Sequence, residues 1–259
     1  MGTGTVIAAA LALISIAGAT AAQTLSGAPL DSRAVARGNQ LNRLLAEIAA
    51  ARGDSDLAAL DLDGAIDDYS WAIELDPTLT SALNDRGVAY LEQANDEKAI
   101  ADFTAVIALD PNAASAWLDR GEARQRDGAL AAALGDYDQA IRLDPSAAEA
   151  FRQRAFLRQN NGQNAQAVED YSAVIALAPK DGAAYRGRGF AELSMRRYAA
   201  AIADLTAALA LDPRDGLAYR FRAQADVAVN DLARADSDDA AALRLGAKLP
   251  RVVTVERPK

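Results

Sequence analysis

Residues 99–111 read Ala-Ile-Ala-Asp-Phe-Thr-Ala-Val-Ile-Ala-Leu-Asp-Pro. Ala99, Ile100, Phe103, Val106 and Ile107 fall at offsets of one, four, seven and eight, which is one stripe of an amphipathic helix. Asp110-Pro111 ends that helix, because a proline disfavours helical geometry in the residue before it. The ending recurs as Leu75-Asp76-Pro77, Leu143-Asp144-Pro145 and Leu211-Asp212-Pro213, with Leu177-Ala178-Pro179 completing the series. Pro77, Pro111, Pro145, Pro179 and Pro213 are therefore evenly spaced along the chain. Twelve positions before each stands Ala65, Ala99, Ala133, Ala167 or Ala201, and eight before it Tyr69, Phe103, Tyr137, Tyr171 or Leu205. Gly53, Gly87, Gly121 and Gly189 recur further upstream, with Ala155 in the remaining place.

A fixed period of this length marks a chain built from stacked supersecondary units. Gly128-Ala129 and Asn161-Gly162 mark a turn inside a unit, so each unit is expected to be two antiparallel helices of about 12 to 14 residues, roughly 20 Å long. Neither helix buries its stripe alone. Stacking hairpin on hairpin gives a continuous core, and the expected fold class is all-α.

The markers resemble the tetratricopeptide repeat, whose signature runs Trp-x-x-Leu-Gly-x-x-Tyr, then Ala-x-x-x-Phe, then Pro. Residues 114–147 match most fully, with Trp117, Gly121, Ala133, Tyr137 and Pro145. Units 46–79, 80–113, 148–181 and 182–215 follow with substitutions, Leu83, Phe151 and Tyr185 standing for the leading Trp, and 216–249 is a degenerate capping unit. The resemblance implies a right-handed superhelical solenoid of helix pairs and a non-catalytic protein-binding scaffold. In the capping unit Asp236 and Asp239 stand where Ile202 and Leu205 stood one unit earlier. Charge on an outward face is what a terminal repeat needs to end the stack in water.

Composition narrows function. The 259 residues are 51% apolar, with 27 Lys plus Arg against 36 Asp plus Glu and neither Cys nor His. Disulfides, zinc-finger sites, Ser-His-Asp triads and Cys nucleophiles are excluded. A net charge of −9 argues against a nucleic-acid partner, which wants a basic face. Asp61-Leu62-Asp63-Gly64 is only a fragment of a calcium loop, so Asp61, Asp63, Asp67 and Asp68 read as a solvated helix start and no metal or cofactor is expected. Trp71 is expected to cover the open N-terminal face of the stack.

Residues 1–30 carry no charged side chain, and Val6 to Ala17 is apolar apart from Ser15. Ala19-Thr20-Ala21 has the small-x-small form of a cleavage site. Residues 1–21 therefore read as a secretory signal cleaved near Ala21/Ala22, giving a secreted or periplasmic protein. The alternative keeps residues 5–22 as an inner-membrane anchor, the only membrane contact expected. Residues 22–45 read as linker and N-terminal helix capped by Asp31 or Ser32, and 250–259 as a flexible tail.

Two charge series repeat with the period: Arg52, Arg86, Arg120, Arg154, Arg188 and Arg222, and Asp68, Asp102, Asp136, Asp170, Asp204 and Asp238. The Arg and Asp of a unit lie sixteen apart, on different helices, and read as a ladder of pairs joining packed helices rather than a ligand track. In the repeat family the first helix of each pair lines a concave groove. Carried over, successive groove places hold Arg152, Arg186 and Arg220, and one turn later Phe156, Phe190 and Gln224, so each Arg shares a face with its Phe or Gln. Asn84, Val88, Leu118 and Glu122 occupy those places earlier. One reading has the stripe hold an acidic or C-terminal carboxylate segment of a partner, Phe supplying anchoring area. The other has Phe filling gaps between units and Arg merely solvated. Asp85, Asp119, Gln153, Gly187 and Phe221 follow the leading groove places, so the Lys and Asn set with which some family members clamp a chaperone's C-terminus is absent. The alternatives to a partner-binding scaffold are a membrane-anchored assembly factor that keeps its leader and a self-associating structural protein; partner, pathway and oligomeric state stay open.

Overall fold

The computed structural model describes residues 32–247. The expected signal, Asp31 and the 250–259 tail lie outside the described residues. Among these, all regular structure is α-helical, in twelve helices, and none is long and apolar enough to cross a membrane. Two compact units divide the chain at Asp127 and Gly128.

The first unit holds α1 (Ser32–Ala58), α2 (Leu62–Leu75), α3 (Thr80–Glu92), α4 (Asp96–Leu109) and α5 (Ala114–Arg126). Consecutive helices pack, and α1 touches α3 as α3 touches α5, so hairpins follow one another in register. Helix α1 runs unbroken through Leu45 and Ala46, making the N-terminal helix and the first helix of the 46–79 repeat one element. Small residues set the spacing: Ala46, Ala49, Ala65, Ala72 and Ala82 surround the buried ring of Tyr69. Trp71 on α2 is 38% exposed.

The second unit holds α6 (Leu130–Leu143), α7 (Ala148–Asn160), α8 (Asn164–Leu177), α9 (Gly182–Ser194), α10 (Tyr198–Leu211), α11 (Gly216–Ala228) and α12 (Leu232–Arg244). Its core comprises Ala155, Ala167, Tyr171, Val174, Ala184 and Ala191, then Leu193, Ala201, Leu205, Ala208, Ala218 and Phe221. In the terminal hairpin, Asp239 accepts a hydrogen bond from Arg220 Nη1 at 3.0 Å. An ion pair thus stands where the preceding repeat buries Leu205, and Asp239 faces inward as well as water.

The repeated arginines are staples. Arg86 sends Nε and Nη2 to the two oxygens of Asp102, each at 2.8 Å, and Nη1 to Ser70 Oγ in the hairpin before. Arg188 repeats this with Asp204 and Ser172, and Arg222 with Asp238 and Thr206. Arg154 grips Asp170 and reaches back to Asp138, and Arg52 pairs with Asp68 at 2.8 Å. Arg120 reaches back to Thr104 Oγ1 at 3.2 Å. Rings lie beside the guanidinium: Trp117 under Arg120, Phe151 by Arg154, Tyr185 by Arg188, Tyr219 by Arg222. Where Leu83 replaces the leading ring, Tyr90 takes that part for Arg86.

Two kinds of turn join the helices. Before each proline the residue is extended, φ −139° at Asp76 and −133° at Asp110. Where that residue is an aspartate rather than Ala178, its carboxylate accepts the backbone N–H two positions on, as at Thr78 and Asn112. Inside hairpins the chain passes through the left-handed region once per repeat, at Gly128 and Gly162 but also at Leu60, Ala94, Arg196 and Asn230. Asn95 N–H closing onto Tyr90 C=O at 2.8 Å holds Ala94 there, because the turn satisfies carbonyls at the end of α3.

A Cβ in that region is strained. Ala94→Gly is therefore expected to raise stability by about 0.5–1 kcal/mol, read as a higher urea midpoint. Arg86→Ala leaves the buried Asp102 carboxylate unpaired and is expected to cost about 3–5 kcal/mol. Asp102→Ala added to it should recover part of that loss, as a double-mutant cycle shows.

Candidate functional site

The predicted stripe lies on α7, α9 and α11, first helices of successive hairpins in the second unit. Arg152 and Phe156 share a face of α7, and Arg186 and Phe190 a face of α9, each pair four apart. The structure brings these four together around a groove of about 680 Å³, with Gln153, Gln159, Asn160, Tyr171, Ala183, Gly187, Leu217 and Phe221 completing its lining. Phe156 is 48% exposed, an aromatic face open to the groove. Phe190 and Phe221 pack at 4.5 Å between centroids, tilted by 42°.

Both groove arginines are tied to the next hairpin. Arg152 donates from Nε and Nη2 to Asp181 Oδ2, at 3.2 and 2.7 Å, and pairs with Glu149 through Nη1. Arg186 Nη1 donates to Asp215 Oδ2 at 2.6 Å. Each aspartate also caps a helix: Asp181 Oδ1 accepts Ala184 N–H at the start of α9, and Asp215 Oδ1 accepts Ala218 N–H at the start of α11. Such caps satisfy backbone donors that a helix start leaves free. Arg186 makes that one bond, so its Nε and Nη2 donors have no acceptor among the described residues.

Arg220 and Gln224 are not part of this lining. Arg220 is buried and turned to Asp239, and its Nε and Gln224 Oε1 have no hydrogen-bond partner among the described residues. The reason lies in its own hairpin. Asp239 stands nineteen positions after Arg220, in the place that Tyr171 and Leu205 hold relative to Arg152 and Arg186, so Arg220 alone of the three meets a carboxylate there.

Tyr171 was missed by the groove reading. A Cβ at Gly53 would lie 2.7 Å from the Tyr69 ring, and one at Gly87 2.7 Å from Phe103, so in those hairpins the ring fills the space above the glycine. The 148–181 hairpin has Ala155 there, whose methyl takes that space. The Tyr171 ring lies instead over Gly187 of the next hairpin, where a Cβ would fall 2.4 Å from Cζ. From there its hydroxyl donates to Gln159 Oε1 at 3.2 Å, and Gln159 Nε2 donates to Gly187 C=O at 3.1 Å. Burial pushes the Tyr171 hydroxyl up to about 12, with Arg186 and Arg152 pulling the other way, so it stays a neutral donor. The signal was present as the coupled departures Ala155 and Gly187.

In the first unit the corresponding helices carry Asp85 and Asp119. Burial raises both carboxyls, Asp119 to about 6 with neighbouring Glu122 adding to it. Asp61 accepts the Gly64 N–H as the cap of α2. Among the described residues no group of three or more acidic side chains is placed to hold a metal ion. The groove lining in the second unit holds no carboxylate, and its polar groups are fixed donors and amides, an arrangement suited to binding.

Gly187→Ala drives a methyl into the Tyr171 ring, and overpacking of this kind is expected to cost about 1–3 kcal/mol. Ala155→Gly reopens the place that Tyr69 and Phe103 take in their own hairpins. The double variant should therefore melt above Gly187→Ala alone, a recovery that thermal unfolding followed by circular dichroism measures.

Residues 50–113, 84–148 and 153–215 match the tetratricopeptide repeat family. Among solved structures, that of MamA superposes with a TM-score of 0.61 at 25% identity, covering 66% of this chain and 93% of that one. Pseudomonas aeruginosa pilF gives 0.68 at 16% identity, covering 79% and 93%. YrrB, described as a tetratricopeptide repeat protein with an unusual peptide-binding site, gives 0.58 at 20% identity, covering 66% and 88%. No curated protein matches the sequence. With three matched stretches spanning more than half its length, the chain belongs to the tetratricopeptide repeat family.

Proposed function

We propose that the protein is a non-catalytic scaffold of the cell envelope whose second unit grips an extended segment of a partner protein. The segment carries an aromatic or aliphatic anchor beside a carboxylate, either an acidic side chain or the chain's C-terminus. The observation that carries this reading is the exposed Phe156 face in the groove that Arg186 also lines, the Nε and Nη2 donors of Arg186 lacking an acceptor among the described residues. An apolar anchor in a groove lined by Phe190, Leu217 and Phe221 supplies area, and a carboxylate on a planar guanidinium supplies orientation. A solved structure of the same fold, that of YrrB, is described as having a peptide-binding site. Placement in the envelope rests on the apolar run from Val6 to Ala17, uncharged throughout, and on Ala19-Thr20-Ala21.

An array of heptapeptides ending in Leu, Phe or Trp next to a free carboxylate, each with a matched C-terminal amide, tests the reading. Free carboxylates should bind more tightly than amides. Arg186→Gln should erase that preference by about tenfold or more, the worth of a hydrogen bond to a charged group. Phe156→Ala should weaken both sets about 30-fold, as for an anchor residue. Equal binding of parent and both variants removes the groove from the function. N-terminal sequencing of the mature protein tests the location: a chain starting at Ala22 or Gln23 supports export, and an intact leader supports the anchored alternative.

A further inference from the structure

Helix α1 exposes an apolar stripe in the first unit, separate from the groove. In later hairpins the place of Ile48 is taken by Ala82, Ala116, Ala150, Ala184 and Ala218, all wholly buried. Ala82 shows why: it packs with Ala72 and Tyr69 of α2, the helix before it. At Ile48 no hairpin precedes among the described residues. The side chain there is large and 40% exposed, and Leu44 one turn earlier is 52% exposed. Helix α1 is also 27 residues long against 14 for its hairpin mate α2, an excess of about 20 Å.

Leu41, Leu44, Ile48 and Ala51 recur at steps of three, four and three, the spacing of a two-helix seam. A depression of about 540 Å³ runs beside Leu41 and Leu44, edged by Arg37, Arg43 and Glu47. The charges of α1 are divided along its length. Arg37 and Arg43 lie in the first half, and Glu47, Asp54 and Asp56 in the second; Arg52 is paired with Asp68, Arg43 with Glu47 at 3.8 Å, and Asp54 accepts the Tyr69 hydroxyl through Oδ1 alone.

We propose that α1 pairs antiparallel with α1 of a second copy of this chain through Leu41, Leu44 and Ile48. A two-fold axis near Ala46 sets Leu44 against the partner's Ile48 and Leu41 against the partner's Ala51. It brings Arg37 beside the partner's Asp54, twice over by symmetry, as an isologous contact requires. A parallel pair would set Arg37 on Arg37 and Asp54 on Asp54, which like charges oppose.

Sedimentation equilibrium of the purified full chain over a concentration series reads the outcome. A monomer–dimer equilibrium is expected, and Leu44→Glu with Ile48→Glu should raise its dissociation constant at least tenfold while leaving helix content by circular dichroism unchanged. Geometry is tested by disulfides, since the chain has no native cysteine. Oxidising a mixture of Leu44→Cys and Ile48→Cys chains should give mainly the mixed dimer. A monomer at every concentration, as when residues 1–31 cover the stripe, overturns the proposal. So does a dimer that survives both glutamates, or crosslinking of each cysteine chiefly to its own kind.

Discussion

One guanidinium per hairpin holds the stack together. Asp102, Asp170 and Asp238 are buried carboxylates, and a buried charge is tolerated only when paired and hydrogen-bonded. The arginine that pairs each of them also reaches the hairpin before, at Ser70, Asp138 or Thr206. A hairpin lifted from the stack would therefore lose neighbours on one side and leave a buried acid or hydroxyl short of a partner on the other. That makes stability a nearest-neighbour property, as expected of a quasi-one-dimensional fold. It also accounts for Arg at a place where the family signature carries Leu. The long stem covers apolar surface and the fork satisfies the acid, while a ring alongside at 4.7 to 5.8 Å adds a cation–π contact.

The candidate groove arises where this regularity lapses. Asp181 and Asp215 replace the backbone-only caps at the starts of α3, α5 and α7, and these two acids receive Arg152 and Arg186. Ala155 displaces a ring that Gly187 admits, and the displaced Tyr171 becomes groove wall. The repeat thus supplies a rigid frame, and pairs of compensating departures from it make one stretch of the second unit unlike the rest.

The period, the hairpins and the Arg–Asp pairs were legible because five or six copies of each marker average out local accident. The groove was legible in part. Arg152, Phe156, Arg186 and Phe190 follow from helix spacing alone, which fixes which residues share a face. Arg220 does not, because Asp239, standing where the earlier hairpins carry Tyr171 and Leu205, draws it inward. The series Ser70, Thr104, Asp138, Ser172 and Thr206 was hidden by its mixed chemistry, although each member offers an oxygen. The turns at Leu60, Ala94, Arg196 and Asn230 were hidden too, since the hydrogen bonds closing the helix end hold side-chain-bearing residues in a glycine-like conformation. Of the two aromatic residues of the stripe, Phe190 packs against Phe221 and Phe156 stands half exposed.

The pairing of Arg152 and Arg186 bears on how a ligand would be read. A guanidinium already bound to an aspartate is no longer a free positive charge, so long-range attraction of an acidic segment is weak there. What it retains is direction. Asp215 fixes the position of Arg186 while its remaining donors stay available, so an arriving carboxylate would add a bond without displacing one. The side-chain entropy of that arginine is lost on folding rather than on binding, as it is for Tyr171, held by Gln159. Binding to a surface ordered in advance loses less freedom, and more of the contact energy appears as affinity. On this account the apolar anchor sets the strength of the interaction, and the arginine sets which way the segment lies.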